Sequence, residues 1–202
     1  MATKKPTALY FTADEAANRY LAENPLALLI GMTLDQQVLL EKAFSGPYVL
    51  RTRLGVELDA GRIAAMPPED LVKIFSEKPA LHRFPGSMAG RVQSVCRHLV
   101  DDYGGDAAAI WTTAGSGDEL FERLKELPGF GEQKARIFLA LLAKRLGVRP
   151  TGWEKVAGPY GEAGTYHSVA DIDSPAALVA VRENKRAAKV GAAAKAGAAA
   201  KR

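Results

Sequence analysis

Apolar residues recur at helical spacing along most of the chain. Over 116–127, for example, Leu120 and Leu124 lie about one turn apart on the same helix face. Comparable patterns predict helices over 12–24, 26–30, 34–44, 59–66, 68–75, 87–103, 106–111, 132–146 and 175–185. Residues 48–54 come nearest to a strand, but they do not alternate convincingly. The pattern therefore predicts an all-α protein of about ten helices.

Capping residues and helix breakers predict where several helices begin and end. Thr12 and Glu15 have the spacing of a capping box, which starts the first helix at Thr12. A Ser-Gly-Pro sequence at 45–47 is expected to end the third helix. The glycine-rich segment 147–173 is expected to form a loop with at most a turn of helix.

Basic residues are concentrated at the C-terminal end of the sequence. The net charge is +4, and the segment 185–202 contains only basic charges. They are Lys185, Arg186, Lys189, Lys195, Lys201 and Arg202. Because the segment has no apolar stripe, we expect a globular domain over 1–184 and a disordered tail over 185–202. The tail is either a solvated end or an arm that attracts phosphate backbones.

Several classes of protein are excluded by composition. The 202 residues are 48% hydrophobic and 25% charged, which is typical of a globular protein. The longest apolar run, Leu26 to Met32, is far shorter than the roughly 20 residues of a membrane span. Cys96 is the only cysteine, which excludes an internal disulfide and a four-cysteine iron–sulfur cluster. With no signal-peptide pattern and no metal-ligand spacing among the histidines, we expect a cytoplasmic protein without a cofactor.

A glycine-rich turn links the two helices over 116–127 and 132–146. It reads LPGFG over residues 127–131, and its glycines permit a tight turn with close backbone approach. The second helix then begins with unpaired amide groups at the positive end of its dipole, which together favour a phosphate. Lys134, one turn into that helix, adds a positive charge. The alternative is an ordinary helical hairpin with a glycine-rich linker.

Two earlier segments extend this pattern. LDQQV at 34–38 is similar to a glutamine-bearing helix start, and FPGS at 84–87 precedes a helix that contains Arg91. With the turn at 127–131, these segments resemble, in order, the helix-hairpin-helix (HhH-GPD) superfamily of base-excision DNA glycosylases. The size and the Lys-rich tail also resemble a small actinobacterial branch of that superfamily.

The resemblance implies a bilobal all-α fold that holds double-stranded DNA with a damaged base across a cleft. The base is turned out of the helix and its glycosidic bond is hydrolysed. Gln37 would fill the space that the base leaves in the DNA double helix. The alternative is that Gln36 and Gln37 are ordinary residues on the surface of a protein helix. The residues implied to contact DNA are Gln36, Gln37, Gly129, Phe130, Gly131, Gln133 and Lys134. The resemblance further implies a monomer associated with the nucleoid.

An ion and a base pocket are also implied. In these proteins the hairpin often holds a monovalent cation through backbone carbonyls, which here would be those of Lys125, Leu127 and Phe130 with Na⁺ or K⁺. Trp153 and Tyr48 are aromatic candidates for stacking on the extruded base.

Two positions depart from the superfamily's pattern. Members that also cleave the strand carry a nucleophilic lysine where this chain has Gln133. Lys134 is one residue out of register, and one residue turns a helical side chain by about 100°. We therefore expect a monofunctional glycosylase, with Lys134 on a phosphate. The catalytic aspartate that follows the hairpin is also missing, since residues 151–153 read Thr-Gly-Trp.

The missing aspartate leaves the activity open. Glu154 is nearly in register, and Asp171 or Asp173 returns to the site if the preceding loop is an insertion. Alternatively the carboxylate is lost, and the protein is a catalytically silent binder of DNA lesions or distorted DNA. A third hypothesis is a helical structural or partner-binding domain whose tail only aids solubility.

Overall fold

The computed structural model describes residues 6–199 of the protein, and the side chains of residues 6–188. This part of the chain is all-helical and contains no strand, which confirms the all-α class. The helices are α1 (Glu15–Glu23), α2 (Pro25–Leu34), α3 (Leu40–Leu54), α4 (Ala60–Ala65), α5 (Pro68–Ser76), α6 (Pro85–Tyr103), α7 (Ala109–Thr112), α8 (Gly117–Glu126), α9 (Glu132–Arg145), α10 (Trp153–Ala157) and α11 (Pro175–Ala199). Two 3-10 turns, Gly158–Tyr160 and Val169–Asp171, lie in the segment predicted to be a loop.

Helix α2 lies at the centre of the molecule. Every residue of α2 after Pro25 is buried, and the helix packs against α1, α3 and α6. Helices α4 and α5 pack on α6. Helices α8 and α9 form the predicted hairpin, which is covered by α10 and by the 3-10 turn at Val169–Asp171. No helix in the described part of the chain is long and apolar enough to cross a membrane.

The first helix begins later than its capping pattern predicted. Asp14, not Thr12, caps α1, and its carboxylate accepts hydrogen bonds from the amides of Ala16 and Ala17. The Thr12 hydroxyl instead contacts Asn18, whose side chain accepts from the amide of Thr12. The predicted start is wrong because Thr12 helps to fix the extended chain that leads into the helix.

The predicted break at residues 45–47 is also wrong. Helix α3 continues through Pro47 to Leu54, and residues 35–39 form a loop instead of a helix. Gly46 is a packing position, because a Cβ there would lie 2.6 Å from Cδ1 of Leu34. Gly31 of α2 likewise faces the ring of Phe44. Close contact between α2 and α3 therefore outweighs the local helix-breaking tendency of the Gly-Pro pair.

The last helix extends past its predicted end at Lys185. Helix α11 begins at Pro175 as predicted, but its backbone stays helical to Ala199. Most of the segment predicted to be disordered therefore continues α11. Lys201 and Arg202 lie outside the described residues.

Candidate nucleic-acid interface

The turn between α8 and α9 is a type II turn. The Phe130 amide donates to the Leu127 carbonyl at 2.9 Å, and Gly129, the third residue, has φ +82°. Gly131 then starts α9 from an extended conformation, is exposed, and provides no side-chain cap. The first amides of α9 therefore open towards solvent without a capping side chain, as an anion site requires.

Gln36 fastens the loop before α3 to this turn. Its Nε2 donates to the carbonyl of Gly129 at 3.4 Å, and its Oε1 accepts from Nη1 of Arg91 on α6. The Arg91 side chain also lies directly over Gly129. Gln36 is therefore a bridge between three elements and not an ordinary surface residue.

His82 joins the same loop to the start of α6. Its Nδ1 accepts from the amide of Phe84 at 3.0 Å, so its Nε2 carries the proton and donates to the Gln36 carbonyl at 2.8 Å. Burial lowers the pKa of the imidazole, and the charges of Lys42 and Arg91 act in the same direction. Sequence reasoning missed this role, because only the distant fold brings His82 next to Gln36.

Gln37 is the one residue besides glycine with positive φ in the described chain, at +54°. The left-handed conformation costs a residue with a Cβ roughly 1 kcal/mol, so the neighbouring contacts must hold it. The side chain is exposed while Gln36 beside it is tied down. The loop therefore presents Gln37 outward on a fixed base.

Phe84 is a second outward residue near this loop. It is 44% exposed, and the guanidinium of Arg83 lies 5.3 Å from the centre of its ring. The His82 contacts tie it to the loop that carries Gln37. The sequence pattern at 84–87 pointed to this segment but assigned no role to the aromatic side chain.

Lys134 does not face the surface beside the turn. Its Nζ donates to the carbonyl of Met32 at 2.8 Å and lies 5.2 Å from the centre of the Phe130 ring. The ammonium thus neutralises carbonyl groups at the C-terminal end of α2. Burial lowers the pKa of this lysine to about 8. This geometry does not support the predicted phosphate contact.

Gln133 stands where strand-cleaving members of the superfamily that the sequence resembles carry a lysine. Its side chain is exposed, and Nε2 donates to the hydroxyl of Tyr160 at 2.9 Å. An amide paired with a phenol is neither a nucleophile nor a general base.

Asp171 is a structural carboxylate. Its side chain is only 2% exposed and forms a salt bridge with Lys144 of α9 at 2.5 Å. Its other oxygen accepts from the amides of His167 and Ser168, so both oxygens are occupied. Lys144 lies eleven residues after Gln133, or about 16 Å along the helix axis. The geometry therefore does not support Asp171 as the catalytic acid beside the hairpin.

Glu154 and Asp173 lie near Asp171, towards the C-terminal end of α9. Both line a cavity of about 500 Å³ with Arg145 and Arg149. Asp173 is largely exposed and lies 3.7 Å from Nη1 of Arg145. None of the three predicted carboxylates is thus beside the hairpin turn.

The two predicted stacking aromatics lie in separate places. Trp153 is 8% exposed, its backbone lies against Gly117, and the guanidinium of Arg149 lies 5.9 Å from the centre of its ring. Tyr48 packs edge-on against Tyr20, between α1 and α3. The structure therefore does not bring Trp153 and Tyr48 into one base pocket.

A groove of about 660 Å³ lies between the loop that carries Gln37 and helix α11. We call it the α11 groove. It is lined by Asp35, Val38, Leu39, Leu40, Glu41, Val179, Val181, Arg182, Glu183, Lys185 and Arg186. Asp35 follows α2 directly, and its charge raises the pKa of Lys134 against the effect of burial. Gln37 itself does not line the α11 groove, but the next residue, Val38, does.

The predicted monovalent-ion site rests on three carbonyls of the hairpin. The Leu127 carbonyl accepts the hydrogen bond of the turn, which leaves its second lone pair for an ion. Among the described residues, no group of three or more His, Cys, Asp or Glu side chains is placed to hold a metal. The carbonyl site with Lys125 and Phe130 stays a prediction.

Comparison with known proteins gave no family for this chain. No family model, no curated protein and no solved structure matches it.

Proposed function

We propose that the protein binds double-stranded DNA and inserts Gln37 where a base has left the helix. The outward Gln37, held in a left-handed conformation beside the hairpin turn, is the observation that carries this proposal. Strain at an exposed residue is tolerated where the surrounding contacts hold it for a function. Here those contacts are made by Gln36, Gly129 and Arg91.

Phosphates on one strand would bind the backbone amides at the start of α9. Gly131 is open on its Cβ side, so a phosphate can approach the backbone closely. Phe84 and Arg83 give the same face an apolar side chain and a charge. Apolar side chains of this kind insert between base steps in proteins that open or bend DNA.

The preferred target is DNA in which a base pair is damaged or already open. Extruding a base costs a few kcal/mol, and this cost is lowest for mismatched or damaged bases. A residue that fills the gap therefore favours such sites without reading sequence.

Recognition without base removal is the function that the geometry supports best. The resemblance assigns hydrolysis of the glycosidic bond to a carboxylate near the sugar, which stabilises the positive charge that develops there. Both carboxylate oxygens of Asp171 already have partners within the protein. Glu154 and Asp173 lie near Asp171, towards the end of α9 that is far from the hairpin turn. Because none of the three carboxylates predicted from the sequence lies beside the hairpin turn, the proposal is the catalytically silent alternative, a binder of DNA lesions or distorted DNA.

DNA binding is tested with a matched pair of variants at one open position. Gly131→Asp puts a charge against the phosphate, and Gly131→Asn is its neutral match. Because a Cβ at this position meets no atom within 4 Å, both variants are expected to fold. Fluorescence anisotropy with a duplex containing an abasic site is expected to show at least tenfold weaker binding for Gly131→Asp only. Equal affinities for both variants would refute the proposed interface.

The role of Gln37 is tested by comparing the affinities for two duplexes, one with an abasic site and one intact. Gln37→Ala is expected to lose the preference for the abasic duplex over the intact duplex, while its affinity for intact DNA is kept. A preference unchanged in Gln37→Ala contradicts the gap-filling role.

One observation favours a second candidate, a monofunctional DNA N-glycosylase. The α11 groove beside Gln37 contains a carboxylate that the sequence did not single out, that of Asp35. Duplexes carrying alkylated, deaminated or oxidised bases are incubated with the protein and heated in alkali. Cleavage that is lost in Asp35→Asn supports the enzyme, and no cleavage of any duplex supports the silent binder.

A further inference from the structure

The α11 groove combines apolar walls with a buried, unsatisfied acceptor. Leu39 and Val179 are 70% and 51% exposed, so apolar surface faces the opening. Glu41 is less exposed, with 23% of its side chain accessible. The lining side chains other than the apolar ones are charged, with three acidic and three basic residues. A concave site that combines apolar walls with charged groups fits a ligand that has both an apolar ring and polar substituents.

Glu41 has one oxygen that its surroundings do not satisfy. Oε1 pairs with Nη1 of Arg182 at 2.8 Å. Oε2 is buried, and no donor within the described part of the chain reaches it. A buried acceptor without a partner is costly, so the carboxylate gains a hydrogen bond when Arg182 moves aside and the N–H group of a ligand reaches Oε2.

We infer that the α11 groove binds an extruded nucleobase that carries an amino group and presents it to Glu41. This inference rests on the proposed DNA binding and adds the class of base that is read. The groove is large enough for one nucleotide, and Val38 in its lining directly follows Gln37, the residue proposed to replace the base in the DNA double helix. Adenine, cytosine and their derivatives offer an amino donor.

Thymine and uracil are disfavoured at the same carboxylate. Their one N–H group lies between two carbonyl groups, which a carboxylate repels. Arg182 moves aside from Glu41 at little cost, because 55% of its side chain is exposed. Its guanidinium is then free for the phosphate of the extruded nucleotide.

The rim of the groove supports a nucleic acid as the ligand. Lys185 and Arg186 line it from α11 and are exposed, so they provide two positive charges at the opening beside the single carboxylate of Glu183. Phosphates on either side of an extruded nucleotide require such charges. Apolar walls, a buried acceptor and cations at the rim match the ring, the amino group and the phosphate of one nucleotide.

The experiment compares two duplexes that differ in one unpaired base. One duplex carries a single bulged adenine and the other a single bulged thymine in the same flanking sequence. Fluorescence anisotropy is expected to show roughly tenfold tighter binding of the adenine bulge, as for one hydrogen bond to a charged group. An intact duplex gives the affinity without an extruded base.

Two variants and one control assign any preference to the groove. Glu41→Gln replaces the carboxylate by an amide that also pairs with thymine carbonyls, so the preference is expected to disappear. Val179→Trp fills the groove from an exposed position and is expected to bind both bulges equally. Glu69→Gln removes the same charge from an exposed position on α5 and is expected to keep the preference.

The outcomes distinguish failure of this inference from failure of the proposed function. Binding of the intact duplex without discrimination between the two bulges overturns the groove inference and leaves DNA binding standing. A preference that survives in folded Glu41→Gln or in Val179→Trp also overturns it. If the circular dichroism of Glu41→Gln shows that this variant is unfolded, the groove inference is judged from Val179→Trp alone. No binding of any duplex by the unaltered protein overturns both proposals.

Discussion

The side chain of Arg91 covers Gly129 so closely that a Cβ at position 129 would lie 2.6 Å from the arginine Cδ. The same arginine binds Gln36, so one side chain of α6 contacts both the hairpin turn and the loop that carries Gln37. The relative position of these two segments is thus set by α6. DNA bound across them, as proposed, would contact both segments in the arrangement that Arg91 fixes.

Substitution of the two hairpin glycines is predicted to have unequal effects. Gly129→Ala adds a methyl group against Arg91 at φ +82°, and the left-handed conformation alone costs an alanine about 1–2 kcal/mol. Gly131→Ala meets open space at ordinary φ. Thermal unfolding is expected to show a clearly lower Tm for Gly129→Ala and little change for Gly131→Ala. Equal shifts would contradict the close packing of Arg91 on the turn.

The protein is predicted to lose stability in mild acid through His82. Burial lowers the pKa of this imidazole in the folded protein below the 6.5 of a free side chain. The unfolded chain therefore binds the proton more readily, so the contribution is fully present above about pH 6.5 and is lost as the pH falls below it. Protonation at Nδ1 removes the acceptor of the Phe84 amide.

Urea unfolding measured from pH 7.5 to pH 5 checks this prediction. His82→Gln keeps a donor for the Gln36 carbonyl but does not titrate, and its stability is expected to change less over this range. A profile for the unaltered protein that is parallel to that of His82→Gln would show that other groups cause the loss.

Asp171→Asn is predicted to affect folding and not DNA binding. An asparagine cannot accept from the amides of His167 and Ser168 without turning its NH₂ group towards the ammonium of Lys144. Breaking a buried ion pair costs about 3 kcal/mol or more of the free energy of unfolding. Asp173→Asn, whose side chain is 62% exposed, is expected to cost less than about 1 kcal/mol.

Binding to the abasic duplex, measured well below the unfolding temperature, is expected to be the same for both aspartate variants. Selective loss of DNA affinity in a folded Asp171→Asn protein would show that Asp171 takes part in DNA binding.

Local sequence signals predicted the hairpin because its turn depends on neighbouring residues. Pro128 and Gly129 suit the second and third positions of a type II turn, and the apolar faces of α8 and α9 are regular. The same local rules failed at Gly46, where close packing on Leu34 keeps the chain helical. Propensity is outweighed wherever a distant contact supplies more free energy.

The candidate site depended more strongly on distant contacts. The sequence singled out Gln36 and Gln37, but not the His82 and Arg91 contacts that hold them. Asp171 looked available for catalysis because its partner, Lys144, lies far away in the chain. The α11 groove forms because α11 lies beside the loop before α3, and no local sequence pattern predicts that long-range arrangement.

Lys134 is predicted not to form a Schiff base with DNA. With a pKa of about 8, a substantial fraction of the amine is neutral in mild alkali, so protonation does not prevent attack. Geometry does, because Nζ donates to the carbonyl of Met32 at the end of α2. Treatment of the protein and an abasic duplex with borohydride at pH 8 is expected to give no covalent adduct. An adduct that is absent in Lys134→Gln would show that the lysine leaves α2 when DNA binds, and would restore strand-cleaving chemistry as the function of this site.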